Sequence, residues 1–286
     1  MIVSTFAIAI GVADVRREPN AASELVTQAL LNTPAQADEE QGMWTHVTLP
    51  DYSGWVRSDE LDEPPVKGFC RIGNSECCAT PLALNAVVSV PQTPLYAERR
   101  GEMCLGNAYL SSVLPLLDTT DPQRVQVALP GEREAWLERS AITMHVGNSF
   151  AALYPRQPLA TVTRYARQYL NVPYLWGGTT VQGIDCSALI QLCYRMVGYQ
   201  LPRDADQQYA ALAQDVPRAH MREGDLIFFA TTTIVHVALA LNATEYIHAE
   251  GNRYQRVLIN SFDPNDVRYD RRLDEICYTV RRVARD

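Results

Sequence analysis

No stretch of this 286-residue chain reaches the roughly 20 consecutive apolar residues that a bilayer crossing requires. Excess basic charge is missing too: 25 Lys and Arg stand against 33 Asp and Glu, a formal net charge of −8. Nucleic-acid binders carry a basic face and polybasic anchors need the same sign, so neither class fits. The apolar start, Met1 to Gly11, has no basic segment ahead of it and reads as a first strand rather than a secretory leader. The expectation is a cytoplasmic protein, with a secreted or wall-associated one as the alternative. Cysteine is too sparse, and odd in number, for a disulfide framework: Cys70, Cys77, Cys78, Cys104, Cys186, Cys193 and Cys277. Cys70, Cys77, Cys78 and Cys104 lack any usual zinc spacing and have no His among them. What the chain has is apolar material, 47% of its residues, enough for about two or three cored domains.

The first half reads as short strands separated by turn signals. Val12 to Val15 runs into a turn at Pro19, and a strand follows from Glu24 to Leu31. Trp44-Thr45-His46-Val47-Thr48-Leu49-Pro50 alternates, and Gly54-Trp55-Val56 comes after a turn. The pattern recurs downstream. Arg124 to Pro130 matches Trp44 to Pro50, Ala135-Trp136-Leu137 stands where Gly54-Trp55-Val56 stood, and Pro94-Leu95-Tyr96 and Val113 to Leu117 supply further strands. Asp62-Glu63-Pro64-Pro65 reads as a linker between the copies. The first copy resembles a bacterial SH3 domain through Val15 to Pro19, the Trp44 strand and Gly54-Trp55-Val56. The second resembles it less, with Ala135 in place of Gly. Trp44 and Trp55 read equally as barrel core and as ligand contacts.

Near residue 147 the period changes. Leu159, Val162, Ala166 and Tyr169 fall on one side of a helix over 158–170. A turn-rich loop, Pro173 to Gly178, leads to a second helix from Cys186 to Val197, with Gly198 as its C-terminal stop. Strands then cover 225–229, 234–241, 245–249 and 276–283, so this part reads as α+β.

Cys186 opens its helix, where unpaired amides and the positive dipole end favour a thiolate. The plain alternative is a small apolar cap residue. Cys193, two turns later at core spacing, reads as inert. Period two puts His236 on one strand face with Ala238 and Ala240, which leaves room above it. His248 on the next strand falls beside it if the two strands pair antiparallel. A thiol, an imidazole base and a third polar group that orients the imidazole are what acyl transfer by cysteine needs. A Cys-His-His metal site with an open position is the chemical rival.

Six motifs then occur in the order of the NlpC/P60 family: Pro173-Tyr174-Leu175-Trp176-Gly177-Gly178, Gly183-Ile184-Asp185-Cys186-Ser187, Leu201-Pro202-Arg203-Asp204, Gly224-Asp225-Leu226-Ile227-Phe228-Phe229, His236-Val237-Ala238 and Ile247-His248-Ala249. Ala188 departs from the Gly usual after Asp-Cys-Ser. The resemblance implies an α+β, papain-like NlpC/P60 domain at 147–286, preceded by two small SH3-like β-barrels at 1–66 and 67–146, the latter with the Cys-containing insertion. It implies Cys186 as nucleophile, His236 as base and His248 as the orienting residue. The two SH3-like units make the chain similar to the subgroup of γ-D-glutamyl-L-diamino acid endopeptidases. That likeness assigns Asp204 to the substrate amine, Tyr174, Asp185 and Ser187 to the cleft, and Tyr96 to closure of the amine pocket. Glu60 and Glu63 are candidates for the acidic partner of Tyr96. Barrel core for Tyr96, packing on Trp176 for Tyr174, and a helix cap with a surface link to Arg203 for Asp204 are the plain readings. The implied partner is a stem peptide, L-Ala-γ-D-Glu-diamino acid, with no metal or organic cofactor. A wall-anchored hydrolase and a non-catalytic wall-binding protein are the alternatives.

Overall fold

The computed structural model describes residues 4–65, 71–72, 75–76 and 84–283. Cys70, Cys77 and Cys78 lie outside the described residues. The chain divides into two compact units, Met1–Leu153 and Tyr154–Asp286.

The first unit holds two sheets, antiparallel except for one short parallel pairing at Asp118 and Arg71. One contains β1 (Ser4–Ile8), β2 (Val12–Arg16), β3 (Leu25–Leu30), β4 (Pro34–Gln41), β5 (Trp44–Thr48), β6 (Ser53–Arg57) and β7 (Leu61–Asp62), in the order β3-β2-β6-β5-β4-β1-β7. After the short β8 (Arg71–Ile72) and β9 (Ser75–Glu76) come β10 (Leu84–Val88), β11 (Gln92–Tyr96), β12 (Cys104–Tyr109), β13 (Val113–Asp118), β14 (Arg124–Leu129), β15 (Arg133–Glu138) and β16 (Ile142–Val146). Their order, β12-β11-β15-β14-β13-β10-β16, is the first order displaced along the chain. The repeat legible at Trp44 and Arg124 is therefore also a repeat of topology. Even single pairings correspond: Arg16 lies opposite Trp55, and Tyr96 opposite Trp136.

Period two explains which side each strand buries. Ala13 and Val15 of β2 turn inward, as do Val125 and Val127 of β14. The first core gathers Ile8, Val15, Val47 and Val56, and the second gathers Leu95, Leu114, Val127 and Leu137. Leu31 of the first copy reaches into the second core. Polar links join the copies: Asn32 Nδ2 donates to the Val113 carbonyl at 2.8 Å, Arg133 Nη2 to that of Ala9 at 2.6 Å, and the Gly131 amide to the Glu63 carbonyl at 3.0 Å. The short helix α1 (Phe150–Leu153) closes this unit.

The second unit begins with α2 (Ala160–Arg167), shorter than the periodic stretch 158–170. The helix ends at Arg167, and after a short turn the chain reverses at Asn171, whose φ of +69° is left-handed, ahead of Pro173. A hairpin of β17 (Thr179–Thr180) and β18 (Gly183–Ile184) leads into α3 (Cys186–Met196). Almost every residue of α3 is buried, because it packs on α2 and on the sheet behind it. Gly198, at φ +86°, stops it as the sequence indicated. After α4 (Ala205–Ala211) the chain builds β19 (Gln214–Val216), β20 (Asp225–Ala230), β21 (Ile234–Ala240), β22 (Glu245–Glu250) and β23 (Arg256–Ser261). It ends with α5 (Arg271–Glu275) and β24 (Cys277–Arg282). The sheet order is β19-β24-β20-β21-β22-β23, antiparallel throughout. Helices come first and the sheet after them, and β21 and β22 pack against α3. Among the described residues no helix is long and apolar enough to cross a membrane.

Candidate active site

Asp185 builds the start of α3. Its extended backbone makes it the N-cap, and its Oδ1 accepts from the Ala188 amide at 2.8 Å. Its Oδ2 accepts from the Gly177 amide at 3.0 Å, which fixes the loop before the hairpin. That loop needs its two glycines for different reasons. Gly177 has φ +74°, and a Cβ on Gly178 would lie 2.4 Å from the Gly183 carbonyl oxygen.

Arg203 completes this cluster. Its Nη2 lies 2.7 Å from Asp185 Oδ2, and its Nη1 lies 3.0 Å from Oδ1 and 2.9 Å from the Ser187 hydroxyl. This link points inward, because the first turn of α3 buries a carboxylate that needs a cation. Asp204 caps α4 in extended backbone without a side-chain cap bond. It is half-buried, and Gln207 Nε2 donates to its Oδ2 at 3.3 Å. Gln191 and Gln208 hold the same segment from behind, donating to the carbonyls of Leu201 and Pro202. Gln208 also donates to the Ser187 carbonyl at 2.9 Å.

The Cys186 sulfur is buried and receives the backbone amides of Val237 and Ser187. The Val237 amide comes from β21 next to His236, so the strand brings its histidine to the helix start. The expectation of a depressed thiol pKa is corrected here. Burial, reinforced by the Asp185 charge, pushes the Cys186 thiol up to about 12 against the pull of the two amides and Arg203. The sulfur thus rests as a neutral thiol. Burial likewise holds the His236 imidazole well below its ordinary value, and His248 down to about 4. Both rings are neutral at pH 7, which leaves a proton acceptor available to a neutral thiol.

The two rings meet as period two required. His236 Nε2 lies 2.8 Å from His248 Nδ1, and the pair runs diagonally from β21 to β22. Small Ala238 lies between them on that face. Phe229 packs on His236 with ring centroids 5.3 Å apart, and Tyr246 on His248 at 5.3 Å. Beyond His248 stands Asn260 of β23, its Oδ1 2.9 Å from His248 Nε2. No motif had marked Asn260. Tyr174 faces the same region: its phenol is raised by burial first and then by Cys186 and Asp185. Its ring lies over Gly251, where a Cβ would be 2.6 Å from it. Among the described residues no three His, Cys, Asp or Glu side chains converge as a metal site.

Residues 171–270 match the NlpC/P60 family, and residues 15–61 match the bacterial dipeptidyl-peptidase SH3 domain. The chain carries an NlpC/P60 domain behind a bacterial SH3 domain. The NlpC/P60 match spans Tyr174, Asp185, Cys186, Ser187, Asp204, His236 and His248. Among its relatives is the gamma-D-glutamyl-L-lysine dipeptidyl-peptidase of Bacillus cereus. It is 26% identical over 241 residues, 80% of this chain and 68% of that protein. Dipeptidyl-peptidase 6 of Lysinibacillus sphaericus is 28% identical over 260 residues, 88% of this chain and 89% of that one. A solved NlpC/P60 family protein from Bacillus cereus superposes with a TM-score of 0.79 over 98% of this chain and 99% of that chain, at 22% identity, so the two share a fold.

Tyr96 and Glu60 lie in the first unit. The Arg124 guanidinium stacks 3.6 Å above the Tyr96 ring. Glu60 is half-buried, and among the described residues nothing hydrogen-bonds its Oε2. Burial first, then the charges of Asp14 and Asp59, raise its carboxyl to about 7. Glu63 is exposed. Cys193 is buried in α3 away from these groups, and burial raises its thiol.

Proposed function

We propose that this protein is a cysteine endopeptidase that hydrolyses the γ-D-Glu to L-diamino acid bond of peptidoglycan stem peptides with a free N-terminal L-Ala. The observation that carries the reading is the meeting of a helix-start thiol with the His236 strand, where the imidazole is neutral and tied to His248. The relatives named for gamma-D-glutamyl-L-lysine peptidase activity support the substrate class.

In this reading Cys186 Sγ attacks the γ-glutamyl carbonyl as its proton passes to His236. The Cys186 amide receives the oxyanion, since the Ala188 amide is occupied by Asp185 and the Ser187 amide faces the sulfur. The proton then goes to the departing amine of the diamino acid. Water, deprotonated by His236, releases the dipeptide from the thioester and restores the thiol. His248 orients His236. Asp185, Ser187 and Tyr174 shape the cleft, and the half-buried Asp204 carboxylate takes the ammonium of L-Ala. The second unit is read as papain-like, and the sheet of 84–146, from its strand order, as a second SH3-like barrel.

The test is hydrolysis of L-Ala-γ-D-Glu-L-Lys and its diaminopimelate analogue beside the same peptides N-acetylated. Cleavage confined to free-amine peptides, and abolished in Cys186→Ala with the fold intact, is expected. Equal cleavage of acetylated peptides would point to a hydrolase of intact wall. Cleavage of none would remove the peptidase reading.

A further inference from the structure

Three side chains form one line across three adjacent strands: His236 on β21, His248 on β22 and Asn260 on β23. Each is twelve residues from the next, and each contact is short: 2.8 Å between the histidines and 2.9 Å from His248 Nε2 to Asn260 Oδ1. The far end is tied as well, since Asn260 Nδ2 donates to the Arg268 carbonyl at 2.7 Å. His248 and Asn260 are almost wholly inaccessible to solvent.

The direction of every hydrogen bond follows from that last contact. A backbone carbonyl only accepts, so the Asn260 amide nitrogen must face Arg268 and its oxygen must face His248. An amide oxygen also only accepts, so His248 carries its proton on Nε2. A neutral imidazole has a single N–H, so His248 Nδ1 is a lone pair. His236 Nε2 must then be the donor, and His236 Nδ1 is left as the free lone pair. Reversing Asn260 would set two acceptors, its own Oδ1 and the Arg268 carbonyl, against each other.

We propose that Asn260 is a positioning residue: anchored on the Arg268 carbonyl, it sets the tautomers of both histidines and so makes Nδ1 of His236 the basic atom. The inference rests on the peptidase reading only in calling that atom the base; the tautomers themselves do not depend on any substrate. Without Asn260, His248 is free to move its proton to Nδ1. It then donates to His236 Nε2, the His236 proton sits on Nδ1, and the lone pair needed by the thiol is gone. The charged groups that face His248 are Glu250, Asp270 and Arg272, and none of them hydrogen-bonds a nitrogen of either ring.

The experiment is nitrogen-15 NMR of histidine-labelled full-length protein at pH 7.5, with wild type, Asn260→Leu and Asn260→Asp compared and thermal unfolding as a fold check. In wild type both rings should show the Nε2–H pattern. Asn260→Leu, of similar size, should convert one or both rings to Nδ1–H or to exchange between tautomers. It should also lower kcat by about 100-fold while KM changes by less than about 3-fold. Asn260→Asp keeps an acceptor toward His248, so it should retain the Nε2–H pattern and move the histidine titration to higher pH. Wild-type tautomers in a folded Asn260→Leu protein would overturn the proposal. If Asn260→Leu does not fold, a histidine titration unmoved in Asn260→Asp would overturn it. Because the NMR pattern needs no turnover, a wild-type protein with the right tautomers and no hydrolysis would fail the peptidase reading and leave this one standing.

Discussion

Arg203 and Asp185 form a two-pronged ion pair in which the guanidinium side chain is 2% exposed and the carboxylate 9%. The pair stands directly behind the nucleophile position. Burial raises the Cys186 thiol most, the carboxylate adds to that rise, and the guanidinium offsets part of it. Two charges so deeply placed make removal of one far worse than removal of both. Arg203→Met should therefore lower stability by about 3–5 kcal/mol and slow alkylation of Cys186. Arg203→Met combined with Asp185→Asn should recover part of both losses. Urea unfolding and mass-resolved alkylation of the Cys186 peptide measure the two effects. A double variant no better than the single one would refute the charge-balance account.

His248 supplies a pH dependence with a definite sign. Its folded value of about 4 lies below 6.5, so between those values the unfolded chain binds more protons than the folded one. Stability should fall as pH drops from about 6.5 to about 4, by on the order of 3 kcal/mol from this group, and be unaffected by it above that window. Urea midpoints of wild type and His248→Gln across pH 4 to 8 are the check. The variant should show the shallower acid loss.

Glu60 works in the opposite sense. Its carboxyl is raised from 4.5 to about 7, so the folded state holds a proton that the unfolded state releases, and stability declines as pH rises between those values. Because the residue is half-buried, screening reduces the effect to about 1 kcal/mol or less. Glu60→Gln should raise the Tm at pH 8 and leave it unchanged at pH 4. A rise of equal size at both would trace the gain to packing instead.

Asp204→Asn should separate recognition of charge from chemistry. Loss of a charge-assisted hydrogen bond costs about 1.5–3 kcal/mol, so kcat/KM for the free-amine peptide should drop by about 10- to 100-fold. The acetylated peptide should change little. Equal losses on both substrates would reduce Asp204 to its place at the head of α4.

Much of the site was readable from patterns with a fixed geometric meaning. Period two placed His236 and His248 on one face, and the change of period before Cys186 placed that thiol at a helix start. The repeat at Trp44 and Arg124 carried through to identical strand orders. Three matters were not legible, each because it depends on depth. Arg203 follows Pro202 in a polar stretch and looks like a surface residue, and only the fold shows that it is buried against Asp185. The direction of the Cys186 shift turned on desolvation, which outweighs the helix start and which no local pattern encodes. Asn260 belongs to no motif. Its sole signal is its spacing, twelve residues after His248 as His248 is twelve after His236, and that spacing gains meaning only once the strands are known to pair.

The line from His236 to Asn260 also dictates how this site can change over generations. Its members sit on three separate threads, so an insertion or deletion of one residue within a paired strand turns a member to the opposite face of the weave. Lengthening the connecting hairpins is tolerable only outside the ladder, in their loops. The aim of the base is in this sense a property of the cloth rather than of any one fibre, and drift in loop length should spare it while drift in strand alignment should erase it.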